Sequence, residues 1–151
     1  MIQKILLGLS VLGFGFLAMA EPTPPPPAYP GSYYDWAQAV DGFGYCYQFN
    51  SHGQVLNNGR PVPENYCEYN RPSHFDWSQG QNGFGYCYQF TPYGHVMWQG
   101  RPMGNYNCER VRPSYYRWAI ANDGRTYCFQ FTPYGHVLND GRPVPGNYCG
   151  Y

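Results

Sequence analysis

The chain has 151 residues, nine basic and nine acidic side chains, and an aromatic content of 20%. Beyond residue 20 the only lysine is gone, eight arginines face nine carboxylates, and the net charge is −1. No basic patch or run remains, which speaks against nucleic acid or an anionic membrane surface as the main partner.

The first twenty residues, MIQKILLGLSVLGFGFLAMA, carry Lys4, an apolar run over 5–17 and a small-x-small site at Ala18-Met19-Ala20. This is the pattern of a secretory signal peptide over residues 1–20. The run is short for a membrane span, and a polar, proline-rich stretch follows it at once. The expected mature chain is therefore exported, to the periplasm, the cell surface or the medium, with no membrane span after cleavage. Residues 21–32 (EPTPPPPAYPGS) read as an extended, solvated spacer of polyproline type.

From residue 33 onward the chain is one unit written three times, with a period of 41. Trp36, Trp77 and Trp118 mark the period, as do the two cysteine columns Cys46, Cys87, Cys128 and Cys67, Cys108, Cys149. The octapeptide QFTPYGHV occurs identically at 89–96 and 130–137, with QFNSHGQV at 48–55. The units span 33–73, 74–114 and 115–151. Each predicts a strand, a turn, a second strand, a Pro-Gly turn and a third short strand, followed by a return segment bearing the second cysteine. Glycine and proline leave no window for a helix of normal length. The expected fold is all-β, as three tandem disulfide-stapled meander units. A single closed, pseudo-threefold, β-trefoil-like domain is the alternative.

Strand alternation places Tyr45, Tyr47 and Phe49 on one face of the second strand, with Cys46 and Gln48 on the other. The same split recurs in the later units. Beyond residue 20 there are only ten Ile, Leu and Val against twenty-eight aromatic residues, so the core must be built from rings. Gln48, Gln89 and Gln130 are expected to hydrogen-bond backbone freed by nearby turns.

Six cysteines in an exported chain, two per unit, predict three disulfides. Two families of pairing respect the repeat, one within units and one between them. Pairing within units (Cys46–Cys67, Cys87–Cys108, Cys128–Cys149) is preferred, because a unit with its own staple can be duplicated without redesign. Each such loop is worth about 3 kcal/mol in the chain-entropy model. No metal or other cofactor is expected: there is no C-x-x-C, and His52 and His74 align with Tyr93 and Tyr33.

Catalysis is not expected either, because the titratable columns are broken. Asp35 and Asp76 become Arg117, and Glu68 and Glu109 become Gly150. The constant features suited to binding are the Trp column, the extra Trp98, and the arginines Arg60, Arg101 and Arg142 at Gly-Arg-Pro turns. Indole faces stack on the C–H faces of sugar rings, and guanidinium groups bind hydroxyls. The competing reading makes the Trp column core and the arginines turn-stabilising.

The pattern W-x5-G-x2-YCYQF-x3-G-x-V over residues 36–55 and its copies resembles the aromatic-glycine hairpins of bacterial choline-binding cell-wall repeats. QFTPYGHV followed by a cysteine is similar to the final strands of ricin-B-type lectin repeats. Both resemblances imply carbohydrate as the ligand class. The expected function is non-catalytic binding of envelope or extracellular polysaccharide. The alternative is a structural or protein-interaction component of the cell surface or periplasm with no small ligand.

Overall fold

The structure, a computed structural model, describes residues 30–150. Residues 1–20, read above as a signal peptide, most of the proline-rich stretch and Tyr151 lie outside the described residues. Three antiparallel hairpins carry the fold: β1 (Tyr33–Gln38) with β2 (Gly44–Phe49), β3 (His74–Gln79) with β4 (Gly85–Phe90), and β5 (Tyr115–Ile120) with β6 (Thr126–Phe131). Each forms its own two-stranded sheet, and they do not close into a barrel. The chain is thus an open array of tandem units, mostly strand with little helix. No helix among the described residues is long and apolar enough to cross a membrane.

Register repeats from unit to unit: Trp36 faces Cys46, Trp77 faces Cys87, and Trp118 faces Cys128. The three disulfides are the within-unit set, Cys46–Cys67, Cys87–Cys108 and Cys128–Cys149. The aromatic stripe also forms. Tyr45, Tyr47 and Phe49 meet edge-to-face at 6.5 Å between successive centroids, and the later units repeat the ladder. Such T-shaped contacts set the positive ring edge against a negative ring face.

The third strand shrinks to a single bridge in each unit: Phe49–Val55, Phe90–Val96 and Phe131–Val137. What stops it is a backbone feature that sequence periodicity hides. Asn57, Asn58 and Gly59 all take positive φ (57°, 55° and 73°), as do Trp98, Gln99 and Gly100, and Asn139, Asp140 and Gly141. Three left-handed residues in succession turn the chain out of the sheet. The return segment then comes back along the second strand, where Val62, Met103 and Val144 donate to the carbonyls of Cys46, Cys87 and Cys128 at 2.7–2.8 Å. It ends in a short helical turn presenting the second cysteine: α1 (Asn65–Glu68), α2 (Asn105–Glu109) or the tighter Gly146–Cys149.

Gln89 and Gln130 find side-chain partners where backbone ones were expected. Gln48 Nε2 donates to Ser32 Oγ at 3.1 Å while its Oε1 accepts from Asn57 Nδ2 at 3.0 Å. Gln89 and Gln130 donate likewise to Ser73 and Ser114. The amide therefore ties the left-handed turn to the residue that precedes the unit.

The core is shared between neighbours. Trp36, Cys46 and Cys67 pack with Met97 of the following unit, and Trp77, Cys87 and Cys108 with Leu138 of the third. Gly44 N–H donates to the carbonyl of Val96 at 2.9 Å, and Gly85 N–H to that of Val137 at 2.8 Å. A Cβ on Gly44 would sit 2.4 Å from Thr91 Cγ2, and one on Gly85 2.5 Å from Thr132 Cγ2. These two glycines exist so that the next unit can approach.

Candidate functional site

The four tryptophans fall into two classes. Trp36 and Trp77 are each 3% exposed, and their Nε1 atoms donate to the carbonyls of Arg71 and Arg112 at 2.7 Å. Both rings face inward, so neither can act as a platform for a ligand from solution. Trp118, in the same column, is 41% exposed, and Trp98 is 46% exposed. The column that looked uniform in the sequence is split: Met97 and Leu138 of the following units pack on Trp36 and Trp77, and Trp118 is half-open.

Trp98 is the departure that matters. Its column holds Asn57 and Asn139 in the other units, residues that tolerate the left-handed region well. A bulky indole at φ 54° carries strain, of order 1–3 kcal/mol for such conformations. The hydrogen-bonding role is kept: Trp98 Nε1 donates to Gln89 Oε1 at 2.7 Å, where Asn57 and Asn139 donate to Gln48 and Gln130 at 3.0 and 3.1 Å. With the Nε1 edge turned to Gln89, the exposed part of the side chain is its apolar ring.

That ring borders an open cleft of about 260 Å³ where the first two units meet, lined by Tyr45, Glu64, Trp98, Gln99 and Arg101. Tyr45 comes from β2, Glu64 from the residue just before α1, and the other three from the left-handed turn and the Gly-Arg-Pro segment behind it. Desolvation, and then the negative charge of Glu68, push the Glu64 carboxyl above its usual value. The Tyr45 phenol is also raised, first by its hydrogen bond to Asp41 at 2.7 Å and then by desolvation. The cleft thus offers an apolar ring, a guanidinium, an amide and two groups whose protonated forms are favoured. This set can stack on and hydrogen-bond a polyhydroxylated ring.

Of the other arginines in the column, Arg60 and Arg142 are exposed like Arg101. Their backbone N–H groups close the left-handed turns on Asn57 and Asn139, at 3.1 and 3.0 Å. Neither stands beside a tryptophan of its own turn, so the triplicated aromatic-arginine surface expected from the repeat is present once, at Trp98 and Arg101. Among the described residues, no three His, Cys, Asp or Glu side chains gather in a way that could hold a metal ion.

Sequence reasoning did not connect Tyr45, Glu64 and Gln99 with Trp98. The available signal was the middle turn itself, Trp-Gln-Gly where the other copies read Asn-Asn-Gly and Asn-Asp-Gly. No protein-family model matches the chain, and neither a curated protein nor a solved structure matches it.

Proposed function

We propose that this protein is a non-catalytic binding module for envelope or extracellular polysaccharide, and that the Trp98–Arg101 cleft is its contact with the glycan. The observation that carries this reading is the exposed indole kept at φ 54°, in a turn where asparagine would be easier to hold. Strain of this kind persists where a side chain serves something other than folding. The neighbouring guanidinium, amide and carboxyl supply planar polar partners for hydroxyls, in line with the ligand class implied by the aromatic-glycine repeats.

The decisive variant is Trp98→Asn, which copies the other two turns and retains a donor for Gln89. It is expected to keep or raise the melting temperature while abolishing retention on insoluble cell-wall polysaccharide and on a glycan array. Unchanged retention would remove the cleft from the reading. A wild-type chain that is retained on neither support would remove the reading itself.

The second reading is a structural or protein-interaction component with no small ligand. It is favoured by the enclosure of Trp36 and Trp77, which makes those two rings part of the scaffold. On that reading, Trp77→Phe combined with Arg101→Ala lowers stability and changes no glycan binding.

A further inference from the structure

The return segment carries more than a cysteine. In unit 1, Tyr66, one residue before Cys67, stacks on Tyr34 of β1 with ring centres 4.8 Å apart and planes 25° from parallel. In unit 3, Tyr148, one residue before Cys149, stacks on Tyr116 of β5 at 5.0 Å and 28°. Unit 2 has neither ring: the same positions are Phe75 and Asn107, which line an open cleft of about 330 Å³. Tyrosines elsewhere meet differently. Tyr45–Tyr47 and Tyr86–Tyr88 stand edge-to-face at 6.5 and 6.3 Å, while Tyr93 and Tyr134 donate to Asp35 and Asp76.

The stacked pairs also share their polar ends. Desolvation, and then the ionised form of the neighbouring phenol, raise Tyr34 and Tyr116 above the ordinary phenol value. The second cause fades within a few ångströms in water, so the hydroxyls lie together as well as the faces. Solvent reaches all four rings: Tyr34 and Tyr66 are half-buried, and Tyr116 and Tyr148 are 39% and 55% exposed. None of the four lines the Trp98–Arg101 cleft.

We propose that Tyr34–Tyr66 and Tyr116–Tyr148 are two sites of oxidative cross-linking, at which hydrogen peroxide, acting through a haem peroxidase, joins the paired rings as dityrosine. Each phenol is neutral at neutral pH, so it gives up one electron together with its hydroxyl proton and becomes a phenoxyl radical. The unpaired electron is shared between the oxygen and the ring carbons ortho and para to it. The para carbon already bears Cβ, which leaves the Cε carbons. Two such radicals pair their electrons as one Cε–Cε bond. Each bonded Cε then releases its hydrogen as a proton, and each oxygen takes one up. The two electrons and two protons removed reduce one hydrogen peroxide to two waters. Rings already stacked meet in this way far more often than rings on separate chains. The new bond ties β1 to α1, where Cys46–Cys67 ties β2 to α1, and thiols do not reverse it.

The test treats the purified, disulfide-bonded chain at micromolar concentration with a haem peroxidase and limiting hydrogen peroxide, then reduces, digests and maps it by mass spectrometry. Links 34–66 and 116–148 are expected, each lighter than its parent peptides by two hydrogens, in yields that do not fall on dilution. Tyr34→Phe should remove the first link and keep the second. Phe75→Tyr with Asn107→Tyr, which rebuilds the pair in unit 2, should add a third link between residues 75 and 107. If exposure alone chose the partners, Tyr69 and Tyr106, 91% and 69% exposed, would carry the links. That result overturns the proposal, as do links formed only between chains or no dityrosine at all. So does the absence of the third link in a rebuilt chain with a native circular dichroism spectrum. Should that chain fail to fold, Tyr34→Phe with Tyr116→Phe, which removes only two hydroxyls, decides the matter. Dityrosine should vanish from it, and an undiminished yield refutes the sites.

Discussion

Units 2 and 3 share a hairpin register, a disulfide position and the same QFTPYGHV segment, yet their interiors differ. In unit 2, Trp77 is 3% exposed and Cys108 fully enclosed, whereas in unit 3 Trp118 is 41% exposed and Cys149 only half-buried. The difference is not local. Unit 2 receives Leu138 from its successor, and its Trp77 indole N–H donates to the Arg112 carbonyl, on the segment that leads into unit 3. The lesson is that a staple of one's own does not make a unit self-sufficient. The disulfide and hairpin are internal, but the socket around the indole is finished from outside.

The largest expected effect tests this directly. Trp77→Ala should cost about 3–5 kcal/mol, as for other buried aromatic truncations, and Trp118→Ala about half as much or less. Urea denaturation of the two variants measures both. Equal losses would mean that the third socket is as well packed as the second.

Reduction should follow the same order. Each bridge closes a loop of the same sequence separation, 21 residues, so the chain-entropy contribution, about 3 kcal/mol, is shared by all three. What differs is access, since Cys149 is the only half-buried partner among the six. Mild reductant followed by alkylation and peptide mapping should find Cys128 and Cys149 labelled first. Simultaneous labelling of all three pairs would erase the distinction between inner and end units.

A smaller effect separates the junctions from the hairpins. The phenols of Tyr93 and Tyr134 are raised above 10.0, by desolvation first and then by their hydrogen bonds to Asp35 and Asp76. A raised phenol favours the neutral form in the folded state. Its contribution is therefore complete below pH 10 and is lost as the pH climbs through the folded-state value. Alkaline titration should loosen both junctions before the disulfide-held hairpins, and a Tyr93→Phe, Tyr134→Phe chain should lose that early step. Near-ultraviolet circular dichroism follows it.

Disulfide pairing, strand faces and the tandem plan were legible in the sequence because all three depend on spacing, and the period of 41 preserves spacing. The fate of the Trp column was not, because Trp36 and Trp118 are the same letter in the same column. Met97 packs over Trp36, whereas Trp118 stays 41% exposed. The column Leu56, Met97, Leu138 held that information as a run of apolar side chains that are not identical, and so did not stand out among the columns that are. The third strand was over-read for a different reason. HVLN at 136–139 and its counterparts read as a short strand between turns, while the left-handed turn that ends it is set by backbone preference at Asn57-Asn58-Gly59 and its copies, which hydrophobic pattern does not report. At the candidate site, Trp98 stood out by type, but its partners Tyr45 and Glu64 belong to the preceding unit and could be assembled only in three dimensions.

The passage of Met97 and Leu138 into the unit before them gives the array a direction. During synthesis each indole socket emerges open and stays wet until the successor has left the ribosome and delivered its plug. Maturation then runs one unit behind elongation. Loss of structure at the carboxyl end strips the cover from Trp77 and then from Trp36, while loss at the amino end uncovers Met97 and leaves Leu138 over Trp77. Damage should therefore travel toward the amino terminus far more readily than away from it.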